Sequence, residues 1–273
     1  MRFRRGHARF GVLAAALAFL LCAAALALLM PEAPGDTVYQ KSGTTVDASH
    51  ADQGYIMVMH KATQKKLKCR VSLGKNSLTY DLNSNGEYEP FPLQLGNGKY
   101  KVQVFSQVSG NKYSTVSSIS FKARVADETY PYLYPNQFVS YRPSTLAVLK
   151  ADELCRNLST DREKFQAVYQ YVVDHTVYDY VRAASVISGQ IISYLPDMDD
   201  VYTGNKGICF DFAALVACML RSQDIPAKLV IGYADQTYHA WNEVWLDGEW
   251  LRCDATSDVC GIAVKSYTTE RVY

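Results

Sequence analysis

Net charge is almost absent from this sequence. Its 28 Lys and Arg face 27 Asp and Glu over 273 residues, leaving +1 at neutral pH. With 20% charged residues, the composition is that of an ordinary globular protein. It lacks the basic footprint of a nucleic-acid or polyanion binder. Histidine is scarce, at five, and scattered along the chain. None of the seven cysteines forms a C-x-x-C pair, so a zinc centre has no ligand spacing to rest on. The cysteines do not read as a disulfide framework either, although Cys253 and Cys260 are spaced for a short bridge.

One apolar run stands out. Residues 10–30, "FGVLAAALAFLLCAAALALLM", carry no charge and follow Arg2, Arg4, Arg5 and Arg9. That is long enough to cross roughly 30 Å of hydrocarbon as a helix. The arginines before it and Glu32 and Asp36 after it place the N-terminus inside and the rest outside. Residues 1–30 are therefore expected to be a single-pass anchor at the cell membrane, with the folded part extracytoplasmic. Cleavage as a signal peptide, giving a secreted protein, is the alternative, but the apolar core of such peptides is usually about 7–15 residues. Cys22 is a poor match to a lipoprotein cleavage box because Leu21 is not small.

Residues 31–52 are rich in Pro, Gly, Ser, Thr and Asp and read as a linker. Residues 53–128 read as a small antiparallel β-sandwich of Ig-like type. The runs "YIMVMH" (55–60), "KLKCRVSL" (66–73), "NSLTYDL" (76–82), "GKYKVQVF" (98–105) and "TVSSISFKARV" (115–125) are separated by polar turns. Twenty tyrosines suit such β-rich structure. Residues 129–159 form an extended, Tyr- and Pro-rich connector and a helix that Ser144 could cap. A second helix begins at Thr160 or Asp161, with Phe165, Val168, Tyr169, Val172 and Val173 as its apolar stripe. Residues 193–207 read as a long loop, followed by a helix from about Cys209 to Arg221. Three strands follow over 226–234, 238–247 and 249–257, the last two joined by an Asp247-Gly248 turn. Helices followed by antiparallel strands make residues 160–273 an α+β domain.

Three residues in that domain carry chemistry. Cys209 opens a helix, where free N–H groups and the helix dipole favour a thiolate. Gly207 permits a sharp turn into that helix, and the Cys209 N–H is a candidate oxyanion donor. With Asp247-Gly248 as a two-residue turn, Leu246 pairs with Glu249 and position 241 faces Asp254, so His239 lies diagonally across on the same face. Such an aspartate can orient an imidazole that activates the cysteine. Each signal alone has a plainer reading: a cysteine on an apolar helix is most often core, as Cys218 is expected to be.

Taken together, the segments "GNKGICFDFAALVACMLRSQDIPAKLVIGYA" and "YHAWNEVWLDGEWLRCDAT" resemble the transglutaminase-like superfamily, with its papain-type Cys-His-Asp core, in an exported bacterial branch. The upstream helix "FQAVYQYVVDHTVYDY" and the loop "YLPDMDDVYTGNKGIC" add to the likeness, which covers roughly residues 160–257. Asp224 replaces the family's usual Gly before Ile-Pro, and Ala255 replaces the usual Pro after Asp254. The resemblance implies Cys209, His239 and Asp254 as the catalytic set and acyl transfer through a thioester on Cys209. The expected activity is hydrolysis of peptide or carboxamide bonds in a protein or peptide substrate, cell-wall peptide included. An amine-accepting transglutaminase and an inactive binding or scaffold protein at the cell surface are the alternatives. No acidic Ca²⁺-loop pattern is evident and no cofactor is implied.

Other residues receive modest readings. Asp211 suits a cap or ion pair in the first helical turn. Trp241 and Trp245 are read as core or cleft wall, and Glu243 as a buried hydrogen-bond partner. Tyr178, Tyr180 and Tyr202 are candidates for the second oxyanion donor. Asp197, Asp199 and Asp200 are read as solvated charge beside the cleft, with selection of a cationic substrate as the lesser reading.

Overall fold

The computed structural model describes residues 28–273; the expected membrane helix lies almost wholly outside them. No helix among the described residues is long and apolar enough to cross a membrane.

The N-terminal half is a sandwich of two antiparallel sheets. Its strands are β1 (Val38–Lys41), β2 (Thr44–Asp47), β3 (Tyr55–His60), β4 (Leu67–Leu73), β5 (Asn76–Leu82), β6 (Glu89–Pro92), β7 (Gly98–Ser109) and β8 (Lys112–Ala123). One sheet has the order β1-β2-β3-β6 and the other β5-β4-β7-β8. The period-2 pattern read in β7 is realised, because Tyr100, Val102 and Val104 are buried while Lys99 and Lys101 are exposed. They meet Val46, Ile56, Val58 and Phe91 from the opposite sheet in one core. Where composition suggested a linker, at 38–47, the chain instead forms the β1–β2 hairpin, and Val46 is fully buried. Its short polar residues hid a strand because the hairpin sits at the sheet edge and buries few large side chains.

The second half contains α1 (Leu146–Cys155), α2 (Asp161–His175), β9 (Val177–Tyr178), α3 (Tyr180–Ile187), α4 (Met198–Gly204), β10 (Lys206–Gly207), α5 (Cys209–Arg221), β11 (Ala227–Ala234), β12 (Thr237–Leu246), β13 (Glu249–Cys253), α6 (Ala255–Cys260) and β14 (Tyr267–Val272). The antiparallel sheet β13-β12-β11-β14 packs against α5. Every residue of α5 from Asp211 to Arg221 is buried, as expected of a helix apolar on all sides. The helices α1, α2 and α4 cover its other faces.

Several elements differ from the sequence expectation. The supposed loop 193–207 contains α4 and β10. The strand over 249–257 ends at Cys253, and residues 255–260 turn into α6. The start of α1 is Thr145 rather than Ser144, with no side-chain cap of its own. Instead the Asp199 carboxylate accepts the Leu146 N–H at 2.7 Å. Helix α2 does begin at Thr160, in a capping box with Glu163.

Arg221 staples the connector to the second half. Its side chain is fully buried and donates to the carbonyls of Ala227 (2.9 Å), Tyr134 (2.8 Å) and Tyr273 (2.9 Å). Among the described residues no carboxylate pairs with it, and burial lowers its pKa to about 10. It thus ties the connector, β11 and the segment after β14 to the end of the nucleophile helix.

Candidate active site

The chain reaches Cys209 through a parallel bridge. β10 pairs with β9, Lys206 opposite Val177 and Gly207 opposite Tyr178. The left-handed residue that turns the chain out of α4 is Asn205 (φ 48°), not Gly207. Gly207 is needed for another reason: a Cβ there would lie 2.6 Å from Asp211 Cβ. The Asp211 carboxylate accepts the Ile208 N–H at 2.8 Å and the Tyr194 hydroxyl, and pairs with Arg182 at 3.3 Å. It therefore fixes the first turn of α5 and is both cap and ion pair. Burial raises its pKa, while Tyr194, the Ile208 N–H and Arg182 act in the opposite direction.

The β12–β13 hairpin carries the other two groups. Asp247 and Gly248 have φ of 54° and 88°, the pair of positive values a tight hairpin turn requires. Leu246 pairs with Glu249 and Asn242 with Cys253, the register expected from the turn. His239 Nε2 lies 2.8 Å from Asp254 Oδ2. Asp254 also caps α6, since its Oδ1 accepts the Ser257 N–H at 3.1 Å. Its Oδ2 receives the Ser257 hydroxyl at 2.6 Å and the Tyr267 hydroxyl at 2.9 Å. A carboxylate at a helix start with this many donors has a fixed rotamer. Burial works to raise the Asp254 pKa, but His239 and Ser257 outweigh it and hold the carboxyl below the usual range.

With Nε2 committed to Asp254, Nδ1 is the nitrogen left for Cys209, whose side chain is near enough to the ring to raise its pKa. Burial alone would lower the His239 pKa; the bonds to Asp254 and Cys209 prevail and raise it to about 9. Trp241 lies nearly parallel to the imidazole, with centroids 6.4 Å apart, and Tyr267 meets the Trp241 ring edge-on at 5.0 Å. The three sequence-derived residues are thus brought together, at a helix start, in mid-strand and at a second helix start.

The remaining cysteines have different surroundings. All six in the described residues are free thiols, so Cys253 and Cys260 are not bridged. Burial raises the thiols of Cys69, Cys218 and Cys253 far above the usual value, that of Cys155 to about 11, and that of Cys260 as well.

Ser257, Tyr267, Tyr194 and Arg182 support the site and were not singled out from sequence. Tyr267 is placed by Gly232, which sits opposite His239 in the ladder. A Cβ on Gly232 would lie 2.0 Å from the Thr268 carbonyl oxygen, so glycine there lets β14 approach. Of the three tyrosines considered for the oxyanion, Tyr178 has a hydroxyl within electrostatic range of Cys209, whereas Tyr202 stacks on Tyr171. Glu243 pairs with Lys228 at 3.0 Å instead of facing the site. Asp197 caps α4 and Asp199 caps α1, so neither is simply solvated cleft charge. Trp241 is core, 1% exposed, while Trp245 packs edge-on against Trp250.

A half-buried cysteine at a helix start, an imidazole beside it and an aspartate behind the imidazole define a cysteine-dependent enzyme site. The sequence profile of the transglutaminase-like superfamily matches residues 150–255. That stretch, which holds Cys209, His239 and Asp254, is a transglutaminase-like core. An uncharacterized protein of Mycobacterium leprae is 31% identical over 87 residues, covering 25% of this chain and 31% of the relative. The chain thus spans about a third of the length of that curated relative. Similar solved structures include a TGase, at 28% identity over 44% of this chain and 32% of the other, with a TM-score of 0.36. Another is a candidate cysteine protease from Cytophaga hutchinsonii, at 18% identity over 80% of this chain and 91% of the other, with a TM-score of 0.40.

Proposed function

We propose that the protein is an extracytoplasmic acyl-transfer enzyme that hydrolyses peptide or carboxamide bonds through a thioester on Cys209. The carrying observation is His239 held between the Cys209 thiol and the Asp254 carboxylate. In this reading the Cys209 sulfur, as thiolate, attacks the substrate carbonyl carbon, and the carbonyl electron pair moves to oxygen. The Cys209 N–H at the start of α5 faces that oxyanion. When the intermediate collapses, the C–N bond breaks, and the amine leaves with the proton from His239 Nδ1. Neutral His239 then takes a proton from water as the water attacks the thioester, and the thiolate is released. Asp254 keeps Nε2 protonated throughout. The apolar run of residues 10–30 supports tethering to the membrane with the catalytic domain outside.

The test is labelling of the full chain with iodoacetamide and with peptide-like electrophiles. The wild type is expected to label rapidly at one thiol and Cys209→Ala not at all. Equal labelling of the two would overturn the reading. An added primary amine distinguishes the outcomes of the second step: incorporation into product marks a transferase, and free acid marks a hydrolase.

A further inference from the structure

The segment from Tyr180 to Leu195 gathers several exposed apolar side chains. No charged residue occurs from Ala183 to Pro196, in a chain that is 20% charged. Helix α3 has no buried residue. Its apolar side chains face outward: Tyr180, Val181 and Ile187 are 71%, 74% and 86% exposed, and beyond the helix Ile192 is 92% and Leu195 44% exposed. Large apolar side chains scattered singly on a surface need no explanation, but five of them between Tyr180 and Leu195, where Arg182 is the one charged residue, do.

The position of this segment relative to the chain's start indicates what covers it. Residues 1–27 lie outside the structure, and the apolar run that begins at Phe10 ends at Met30. From there the chain is fastened to the body. Leu29 and Ala33 pack with Tyr55, Met57 and Tyr134, and the Glu32 N–H donates to the Tyr55 hydroxyl at 3.2 Å. Met30 and Pro31 line one groove together with Leu195 and Pro196. The point where the apolar run leaves the fold and the end of the exposed apolar segment are therefore neighbours across a single groove. If the apolar run that precedes these packed residues crosses a bilayer, in keeping with the tether proposed above, the uncharged segment is on the side that meets it.

We infer that α3 and residues 188–195 lie in the interfacial layer of the lipid bilayer as a second membrane contact. An outward apolar face on a short amphipathic helix suits that layer. Tyr180 is amphipathic, as interfacial aromatics are, and Arg182 keeps its guanidinium on Tyr194 and Asp211, clear of the hydrocarbon. Because Arg182 and Tyr194 hold Asp211, which caps the Cys209 helix, the contact fixes the catalytic cleft close to the membrane surface. The acyl substrate is then one presented at that surface. This inference rests on the tether reading, and the two fail separately.

The experiment uses the full chain reconstituted into phosphatidylcholine vesicles, with and without brominated acyl chains that quench tryptophan on contact. Ile187→Trp and Ile192→Trp are compared with Val108→Trp, at another open site (65% exposed), on the sandwich. Alkaline carbonate washing reports the tether independently. Resistance to washing, with fluorescence lost at positions 187 and 192 and kept at 108, is the expected result. Resistance without quenching at 187 and 192 overturns the inference and leaves the tether standing. A blue shift at those positions that brominated lipid does not quench means that protein covers the segment, and this also overturns it. Quenching at all three positions does the same. Release by carbonate removes both readings.

Discussion

Tyr267 and His239 bond to the same oxygen of Asp254, at 2.9 Å and 2.8 Å. One residue comes from the last strand, the other from the strand two positions across the sheet. The aspartate therefore orients the imidazole only as well as β14 is held. The Tyr267 pKa is pushed up to about 12, first by burial and then by its bond to Asp254, so the phenol is a donor throughout the working range of the enzyme.

Tyr267→Phe removes that donor and leaves the ring against Trp241 and the Arg252 guanidinium. A hydrogen bond to a charged group is worth about 1.5–3 kcal/mol, of which part reaches the transition state. The expected outcome is a fall in kcat of up to about tenfold with KM little changed. Steady-state kinetics on the most active peptide substrate checks it. An unchanged kcat would show that Ser257 and His239 suffice to hold Asp254.

The rate should fall in alkali as His239 loses its proton. Its pKa is raised to about 9, so the imidazolium persists through neutral pH, and the alkaline limb of kcat/KM is expected near that value. Asp254→Asn removes the strongest of the raising contacts and should move the limb down toward about 6.5, the unperturbed value. The stability linkage has the matching sign. A pKa raised on folding contributes stability that is complete below about 6.5 and is lost as pH rises through about 9. Thermal unfolding of the wild type across that window should show the loss, and Asp254→Asn should flatten it.

How much of this was legible in the sequence follows from the range of the interactions. The hairpin register was readable because two adjacent residues, Asp247 and Gly248, set it. The helix carrying Cys209 was readable from a continuous apolar run. Tyr267 was not, because "YTTERV" lies in an exposed edge strand and has little apolar alternation to announce it. The Gly207 requirement was read as backbone freedom; it is the close approach of Asp211, a contact four residues away that depends on the folded first turn. The acidic loop was read as solvated charge because Asp199 finds its acceptor role 53 residues upstream, at Leu146.

Gly207→Ala tests the first of those contacts. The new methyl group would lie 2.6 Å from Asp211 Cβ, so α5 or the β9–β10 bridge must shift. Overpacking of this kind costs typically about 1–3 kcal/mol. It also loosens the cap on Ile208 and therefore the position of Cys209. A lower unfolding midpoint together with slower iodoacetamide labelling is expected. A lower midpoint with unchanged labelling would separate the glycine from the nucleophile's placement.

Arg221 would conventionally be read as a basic residue suited to the end of a helix dipole, since it is the last residue of α5. Its burial instead makes it a junction of three backbone segments, and a cation without a carboxylate partner among the described residues. Arg221→Met fits a similar volume but strands the carbonyls of Ala227 and Tyr134, while the Tyr273 carbonyl keeps the Leu229 N–H at 2.8 Å. Each buried acceptor left without a donor costs about 1–3 kcal/mol, offset in part because a desolvated charge is also removed. The expected net result is destabilisation of several kcal/mol, read as a large drop in the chemical-denaturation midpoint. Arg221→Lys should not rescue it, because one ammonium cannot reproduce the planar fork that reaches three carbonyls in different directions. If Arg221→Met were as stable as the wild type, the desolvation of the guanidinium would have to cancel all three hydrogen bonds, and the junction would contribute geometry but no net stability.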